Sequence, residues 1–229
     1  MDLEILEEKV YYYTNVIEDP KKLVDAIEND NKDPWGEWMA CSGQHYVYGS
    51  DKTIVLNPDA DEKNKYIYET LQKAFDVVAR DYAKAHGITD EPKLFPQYPI
   101  KKYQPGTYMG AHFDQQEGDE RLKVSFVMYL NDDYEGGEIS FQLKDYDGGW
   151  TSADGFSKGS APAVDLDYDI SVANKAIDFG LKPKANSVVI FPAYAPYFHT
   201  AHTVKSGFKY MVPGHWIHNN MDLNRNQSM

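Results

Sequence analysis

The chain has 229 residues, with 23 Lys or Arg against 36 Asp or Glu, so its formal net charge is −13 when histidines are neutral. This length predicts one elaborated domain or two small ones, and a hydrophobic content of 42% predicts a globular chain rather than a disordered one. The acidic charge disfavours duplex DNA and anionic membranes as partners, because both bind basic surfaces.

Cysteine content and the N-terminal sequence indicate the cellular setting. A single cysteine, Cys41, excludes an intrachain disulfide and a thiolate metal cluster. The first residues, Met1–Glu4, have neither the basic region nor the apolar run of a signal peptide. No stretch approaches the roughly 20 apolar residues of a membrane span. We therefore expect a soluble, cytoplasmic protein.

The first 94 residues are predicted to contain a strand and two helices. The β-branched and aromatic run Lys9–Thr14 predicts the strand. A short helix is predicted over Pro20–Glu28, because Asp19 can cap it and proline is favoured at the first helical position. A longer helix is predicted from about Ala60 to His86, where apolar residues recur at helical spacing and Gly87 follows as a stop.

Beyond residue 95 the pattern predicts strands, so the chain as a whole is expected to be an α+β domain whose second half is strand-rich. The segment 144–182 is rich in Asp, Gly, Ser and Ala, and we expect it to be a long insertion or lid. The predicted strands are Val124–Leu130, Glu138–Phe141, Ser187–Phe191, Phe208–Val212 and Gly214–Ile217.

Three residues have the spacing and chemistry of metal ligands. On a strand, His112 and Asp114 would project from the same face and could reach one ion. His199, in a segment rich in Tyr and Phe, could add a second imidazole. Two histidines and one carboxylate form a facial triad that leaves positions open on Fe(II), whereas structural zinc is closed by four protein ligands. His202 is an alternative third ligand.

Lys209 lies ten residues after His199, in a segment that is otherwise apolar. A buried ammonium without an anionic partner is costly, so this lysine is expected to pair with an anion. The co-substrate 2-oxoglutarate would supply one. Its distal carboxylate would pair with Lys209, its keto-acid end would chelate the metal, and dioxygen would take the remaining position.

Four blocks of sequence occur in order between about residues 95 and 219. They are Tyr103–Tyr108 leading to His112-Phe113-Asp114, Met128–Asn131 with Glu135–Phe141, Pro183–Pro192, and His199 followed by Val204, Gly207, Lys209 and Trp216. In these blocks the chain resembles the 2-oxoglutarate- and Fe(II)-dependent dioxygenases, specifically their prolyl 4-hydroxylase-like branch. Residues 1–94 match only as an N-terminal support.

The resemblance implies a fold and a set of site residues. The fold is a double-stranded β-helix (jelly roll) with N-terminal supporting helices, and residues 1–229 form a single domain whose catalytic core spans 95–219. The implied metal ligands are His112, Asp114 and His199, with no catalytic residue beyond the metal centre. Lys209 takes the position that binds the distal carboxylate of 2-oxoglutarate. Tyr129 matches a tyrosine that hydrogen-bonds the same carboxylate, and Tyr103 lines the pocket.

The resemblance also implies hydroxylation of a C–H bond, in the first instance of a prolyl residue in a peptide or protein, with decarboxylation of 2-oxoglutarate to succinate. The implied cofactors are Fe(II), 2-oxoglutarate and O2, with ascorbate as an optional addition. Two alternatives remain: the same chemistry on another side chain or a small metabolite, and a non-enzymatic jelly-roll binding module. Neither a membrane nor a nucleic acid is expected as a partner, and the sequence leaves the oligomeric state open.

Overall fold

The computed structural model describes residues 1–29, 35–38, 47–48, 51–56, 62–112, 114–115, 122–142, 179–194 and 196–217. Its elements in chain order are β1 (Asp2–Glu7), β2 (Val10–Thr14), α1 (Pro20–Asn29), β3 (Gly36–Trp38), β4 (Val47–Tyr48), β5 (Asp51–Leu56), α2 (Glu62–Ala85), β6 (Lys93–Leu94), β7 (Tyr98–Tyr103), β8 (Tyr108–His112), β9 (Leu122–Tyr129), β10 (Glu135–Gly136), β11 (Ile139–Gln142), β12 (Phe179–Leu181), β13 (Ser187–Pro192), β14 (Phe198–Ala201), β15 (Val204–Ser206) and β16 (Lys209–Ile217).

The strand and the two helices predicted in the N-terminal part are confirmed as β2, α1 and α2. Helix α1 begins at Pro20, and the backbone N–H of Lys22 donates to Asp19 Oδ1 at 2.9 Å, as expected of a helix N-cap. Helix α2 ends at Ala85, just before Gly87, which has the left-handed φ of +62° common after a helix. The predicted start at Ala60 lies outside the described residues.

Two predicted segments differ from the structure. The two strands predicted on either side of Pro213 form one strand, β16. This proline is tolerated because it lies between the residues that pair with β7 and those that pair with β6. The end of the predicted insertion 144–182 forms strand β12, since the ring of Phe179 stacks on Phe141 with 5.0 Å between centroids. Residues 144–178 of that insertion lie outside the described residues.

The described strands form two main antiparallel sheets that face each other. The large sheet has the order β1-β2-β13-β9-β16-β7-β5-β3, with β6 paired to β16, and the small sheet has the order β12-β11-β14-β8-β4. Strands β10 and β15 pair separately. Together with the two helices, this is the expected α+β fold with a jelly-roll core. No helix in the described part of the chain is long and apolar enough to cross a membrane.

The large sheet separates two cores because successive side chains of a strand point to opposite faces. On one face, Phe126 of β9 and Val212 of β16 pack against helix α2, where Phe75 lies 5.4 Å from Phe126 between ring centroids. On the other face, Val127 and Met211 pack with residues of the small sheet. The second core lies inside the jelly roll and contains the candidate site.

Candidate active site

The three predicted metal ligands belong to strands β8 and β14 of the small sheet and to the bend that follows β8. Strands β8 and β14 are neighbours, and their register places the Cα of His199 opposite that of His112. Asp114 lies just beyond the end of β8, and its Oδ2 is 3.9 Å from His199 Nε2. Asp114 therefore reaches the site from the bend after the strand, and the strand alternation predicted for His112 and Asp114 does not extend to it.

The side chain of His112 lies outside the described part of the structure. The side chains that are described do not by themselves include a cluster of three His, Cys, Asp or Glu residues. The backbone position of His112 and the Asp114–His199 contact are therefore the two observations that define this end of the site.

The surroundings of His199 fit a metal ligand. The side chain is 5% exposed, and its Nδ1 lies 3.2 Å from the carbonyl oxygen of Tyr197. A proton on Nδ1 donated to that carbonyl leaves Nε2 with its lone pair directed towards Asp114, which is the tautomer that binds a metal. The rings of Phe191 and Phe141, at 4.7 and 5.8 Å between centroids, shield the imidazole from water.

His202, the alternative third ligand, is engaged elsewhere. Its Nε2 lies 2.7 Å from Ser140 Oγ, and its backbone N–H donates to the carbonyl of Glu138 at 2.8 Å. Burial lowers the pKa of His202, Glu138 opposes this shift, and the positive charge of Lys209 adds to it. The geometry thus places His199, rather than His202, beside Asp114.

The three predicted co-substrate residues also converge inside the jelly roll. Lys209 is fully buried at the start of β16, opposite Tyr103 of β7. Its Nζ donates to the carbonyl of Gly137 at 2.9 Å and lies 5.0 and 5.4 Å from the ring centroids of Tyr103 and Tyr129. Burial, with the neighbouring tyrosines, raises the pKa of Tyr129 well above 10, so its hydroxyl stays neutral and can donate.

The region around Lys209 fits a carboxylate. A buried ammonium group is stabilised by an anion, and hydrogen bonds to an ionised acceptor are among the strongest in proteins. Lys209 supplies the charge, and Tyr129 supplies a neutral donor beside it. The residues present therefore match the distal carboxylate of a small dicarboxylic acid.

Two further residues near this region were not predicted from the sequence. Lys101 of β7 is 5% exposed and pairs with Met211, so it faces the same interior as Tyr103, two residues along the strand. The alternation of side chains along this strand could have indicated from the sequence that Lys101 and Tyr103 share a face. Tyr134, 6% exposed, lies in the connection between β9 and β10 and packs in the same core. It had no strand periodicity that could have indicated its position.

Comparison with known families identifies the class of the protein. The model of the 2OG-Fe(II) oxygenase superfamily matches residues 98–218, which is more than half of the chain. The chain therefore belongs to the 2OG-Fe(II) oxygenase superfamily, and it is an oxygenase of the kind that uses Fe(II), 2-oxoglutarate and O2. Comparison with the curated proteins gives no match.

Several solved structures with a similar fold are prolyl hydroxylases. A prolyl-4-hydroxylase from Pseudomonas putida has a TM-score of 0.61 at 13% identity, covering 93% of this chain and 94% of its own. A Trichoplax adhaerens prolyl hydroxylase, in complex with a hypoxia inducible factor peptide fragment, has a TM-score of 0.61 at 11% identity, covering 91% of this chain and 83% of its own. The viral collagen prolyl hydroxylase of Paramecium Bursaria Chlorella virus-1 has a TM-score of 0.56 at 16% identity, covering 92% of this chain and 96% of its own. The fold is thus prolyl-hydroxylase-like.

Proposed function

We propose that this protein hydroxylates a prolyl residue in a peptide or protein, acting as a single domain over residues 1–229. The observation that carries the proposal is the arrangement along one interior. Asp114 lies beside His199, and the backbone of His112 is in register with that of His199. The fully buried ammonium of Lys209 lies near the rings of Tyr103 and Tyr129, which belong to the same core as the phenylalanines beside His199.

In this proposal His112, Asp114 and His199 hold Fe(II), and Lys209, Tyr129 and Tyr103 hold 2-oxoglutarate. The bound iron and co-substrate supply oxidative chemistry in which one oxygen atom of O2 goes to succinate, formed with CO2, and the other goes to the substrate C–H bond. The hydrogen bond from Nδ1 to the Tyr197 carbonyl fixes the His199 ring.

The remaining protein groups orient the co-substrate and exclude water. Lys209 and Tyr129 would fix one end of the dicarboxylic acid, so that its keto-acid end has one orientation towards His199. Phe191 and Phe141 form an apolar wall beside the imidazole. Such a wall limits water at the reacting centre and strengthens the electrostatic contacts inside it.

The prolyl substrate is proposed from the likeness of the fold to prolyl hydroxylases. One of these structures holds a peptide fragment, which supports a peptide as the kind of substrate. The acidic charge of the chain, −13, also favours a peptide over a nucleic acid.

The experiment has two stages. Succinate formation from 2-oxoglutarate is measured first with Fe(II) but without any peptide, in the presence and in the absence of ascorbate. Proline-containing peptides are then screened by mass spectrometry for the gain of one oxygen atom, against matched peptides with alanine in place of proline. We expect succinate in both stages and oxygen gain only in the proline peptides.

The other outcomes separate the alternatives. Succinate formation without oxygen gain in any peptide would overturn the prolyl assignment and direct the search to other side chains or small metabolites. A failure to form succinate or to bind 2-oxoglutarate, in a folded sample loaded with iron, would overturn the enzymatic proposal.

A further inference from the structure

Tyr134 has a buried hydroxyl that the predicted site does not use. The side chain is 6% exposed. Its hydroxyl oxygen is buried and has no hydrogen-bond partner among the residues that the structure describes. A buried polar group without a partner is costly, and such groups are infrequent in native proteins. This hydroxyl is therefore available to a group other than those that the structure describes.

The side chains of Tyr134 and Lys209 pack against the same glycine. A Cβ built on Gly137 would lie 2.8 Å from Tyr134 Cε2 and 3.1 Å from Lys209 Cδ. The first distance is too short for any real side chain, and the φ of +68° at Gly137 also favours glycine. The carbonyl of Gly137 accepts the hydrogen bond from Lys209 Nζ at 2.9 Å. Glycine at this position thus allows the phenol ring and the lysine stem to lie side by side.

Tyr134 and Tyr129 lie in the same core and interact electrostatically. Burial is the main cause of the raised pKa of Tyr129, and among neighbouring groups Tyr134 contributes most, ahead of Tyr103. Tyr134 itself has a pKa raised by burial and then by nearby carboxylates, with Glu138 first. Both phenols are therefore neutral donors at physiological pH.

Lys182 fixes the Tyr134 ring from another direction. Its Nζ lies 3.5 Å from the ring centroid and donates to the carbonyl oxygens of Tyr134 and Gly136 at 2.9 and 2.6 Å. A cation over a phenol ring is attracted to its π face. These contacts hold the side chain in place before any ligand binds, which lowers the entropic cost of using its hydroxyl.

We propose that Tyr134 donates a hydrogen bond to the distal carboxylate of 2-oxoglutarate and so contributes to selection of a dicarboxylic co-substrate. This inference rests on the proposed function, because it requires 2-oxoglutarate to occupy the interior beside Lys209. The carboxylate would form an ion pair with Lys209 and accept hydrogen bonds from Tyr129 and Tyr134. A 2-oxo acid without a distal carboxylate would leave these donors unsatisfied.

The test is the affinity of the full chain for two 2-oxo acids, measured by calorimetry with Mn(II) in place of iron so that no turnover occurs. The ligands are 2-oxoglutarate and 2-oxopentanoate, which has the same length but no distal carboxylate. For Tyr134→Phe we expect the Kd of 2-oxoglutarate to rise about tenfold, with no change for 2-oxopentanoate. Tyr98→Phe is the matched control, since the buried Tyr98 hydroxyl donates to Gln72 at 2.6 Å in the helix-side core.

The outcomes distinguish this inference from the proposed function. Unchanged 2-oxoglutarate affinity in folded Tyr134→Phe, with normal affinity in the wild type, would overturn the role of Tyr134 alone. An equal loss for both acids, or the same loss in Tyr98→Phe, would indicate a purely structural effect and overturn it too. A wild-type chain that does not bind 2-oxoglutarate would refute the proposed function itself. Thermal unfolding of each variant checks that it is folded.

Discussion

The two faces of the large sheet are built from the same strands but differ in chemistry. On the helix side, β9 and β16 contribute Phe126, Met128 and Val212 to an apolar core with α2. On the interior side, alternate residues of the same two strands include Tyr129 and the fully buried Lys209. A strand alternates its side chains with a period of two, so one sheet carries a stabilising core on one face and a polar site on the other.

This difference indicates which substitutions should affect function and which should affect stability. The helix side has close ring contacts, such as the 5.4 Å separation of Phe75 and Phe126, that lose energy when a cavity is made. The interior side contains the residues proposed to hold iron and 2-oxoglutarate, so removal of one of these should alter binding more than folding. The four predictions below test this division, in order of expected effect.

The largest effect is expected for His199→Ala on the interior side. Removal of one of three proposed ligands should abolish iron binding and succinate formation, while the unfolding temperature changes little. Iron content and succinate formation are measured together. The control is His202→Ala, three residues further along, which removes the contact with Ser140 and should retain iron. Iron retained by His199→Ala and lost by His202→Ala would reverse the assignment.

Lys209→Ala should raise the 2-oxoglutarate requirement by a hundredfold or more, because leaving one member of a buried charge pair without its partner costs roughly 3–5 kcal/mol. Iron content should be unchanged. Lys209→Arg should retain part of the affinity, since the charge remains but the planar guanidinium has a different shape. Succinate formation is measured against 2-oxoglutarate concentration.

Lys101→Ala is the matched control for Lys209, since both lysines are buried and lie on paired strands of the same sheet. We expect it to leave the 2-oxoglutarate requirement close to that of the wild type. A normal requirement in Lys209→Ala combined with a raised one in Lys101→Ala would transfer the carboxylate-binding role to Lys101.

Phe126→Ala on the helix side should lower the free energy of unfolding by about 3–5 kcal/mol, because it leaves a cavity beside Phe75. The dependence on 2-oxoglutarate, expressed per folded molecule, should be unchanged. Urea unfolding measures the free energy of unfolding, and succinate formation at varied 2-oxoglutarate concentration measures the co-substrate dependence. Phe208→Ala, at a phenylalanine that is 46% exposed, should cost much less stability. A changed co-substrate dependence in Phe126→Ala would contradict the separation of the two faces.

The smallest effect is expected for Glu28→Gln, in the polar contact that joins α1 to the helix side. Glu28 Oε1 accepts hydrogen bonds from Lys102 Nζ at 2.8 Å and Tyr210 Oη at 2.6 Å. Burial raises the pKa of Glu28, but the two hydrogen bonds and the positive charge of Lys102 together outweigh it and hold the pKa below its usual value of 4.5. Because the pKa is lower in the folded state, the carboxylate stabilises the protein above about pH 4.5, and this stabilisation is lost as the pH falls through the folded-state pKa.

The measurement for Glu28→Gln is the free energy of unfolding of both proteins as a function of pH. The variant should be less stable by about 1 kcal/mol at neutral pH, and the difference should disappear in acid. A difference that persists or grows below the folded-state pKa would show that the charge of Glu28 is not its cause.

Local patterns in the sequence were sufficient for the elements and for part of the site. The capped start of α1 and the glycine after α2 act within a few residues, so they could be predicted without tertiary contacts. The motif His112-Phe113-Asp114, with His199 and Lys209 downstream, likewise contained enough chemistry to indicate iron and 2-oxoglutarate. The family comparison supports that class of chemistry.

Only the tertiary structure decided how these residues meet. Pairing of β8 with β14 brings His199 opposite His112, and a bend rather than a strand brings Asp114 to His199. Ring stacking on Phe141 recruits Phe179 into the sheet from a segment without strand-like composition. The burial of Lys101 depends on the strands beside β7, and that of Tyr134 depends on the close approach of its ring to Gly137. Sequence spacing specifies which side chains share a face, but long-range packing determines which faces enclose a site.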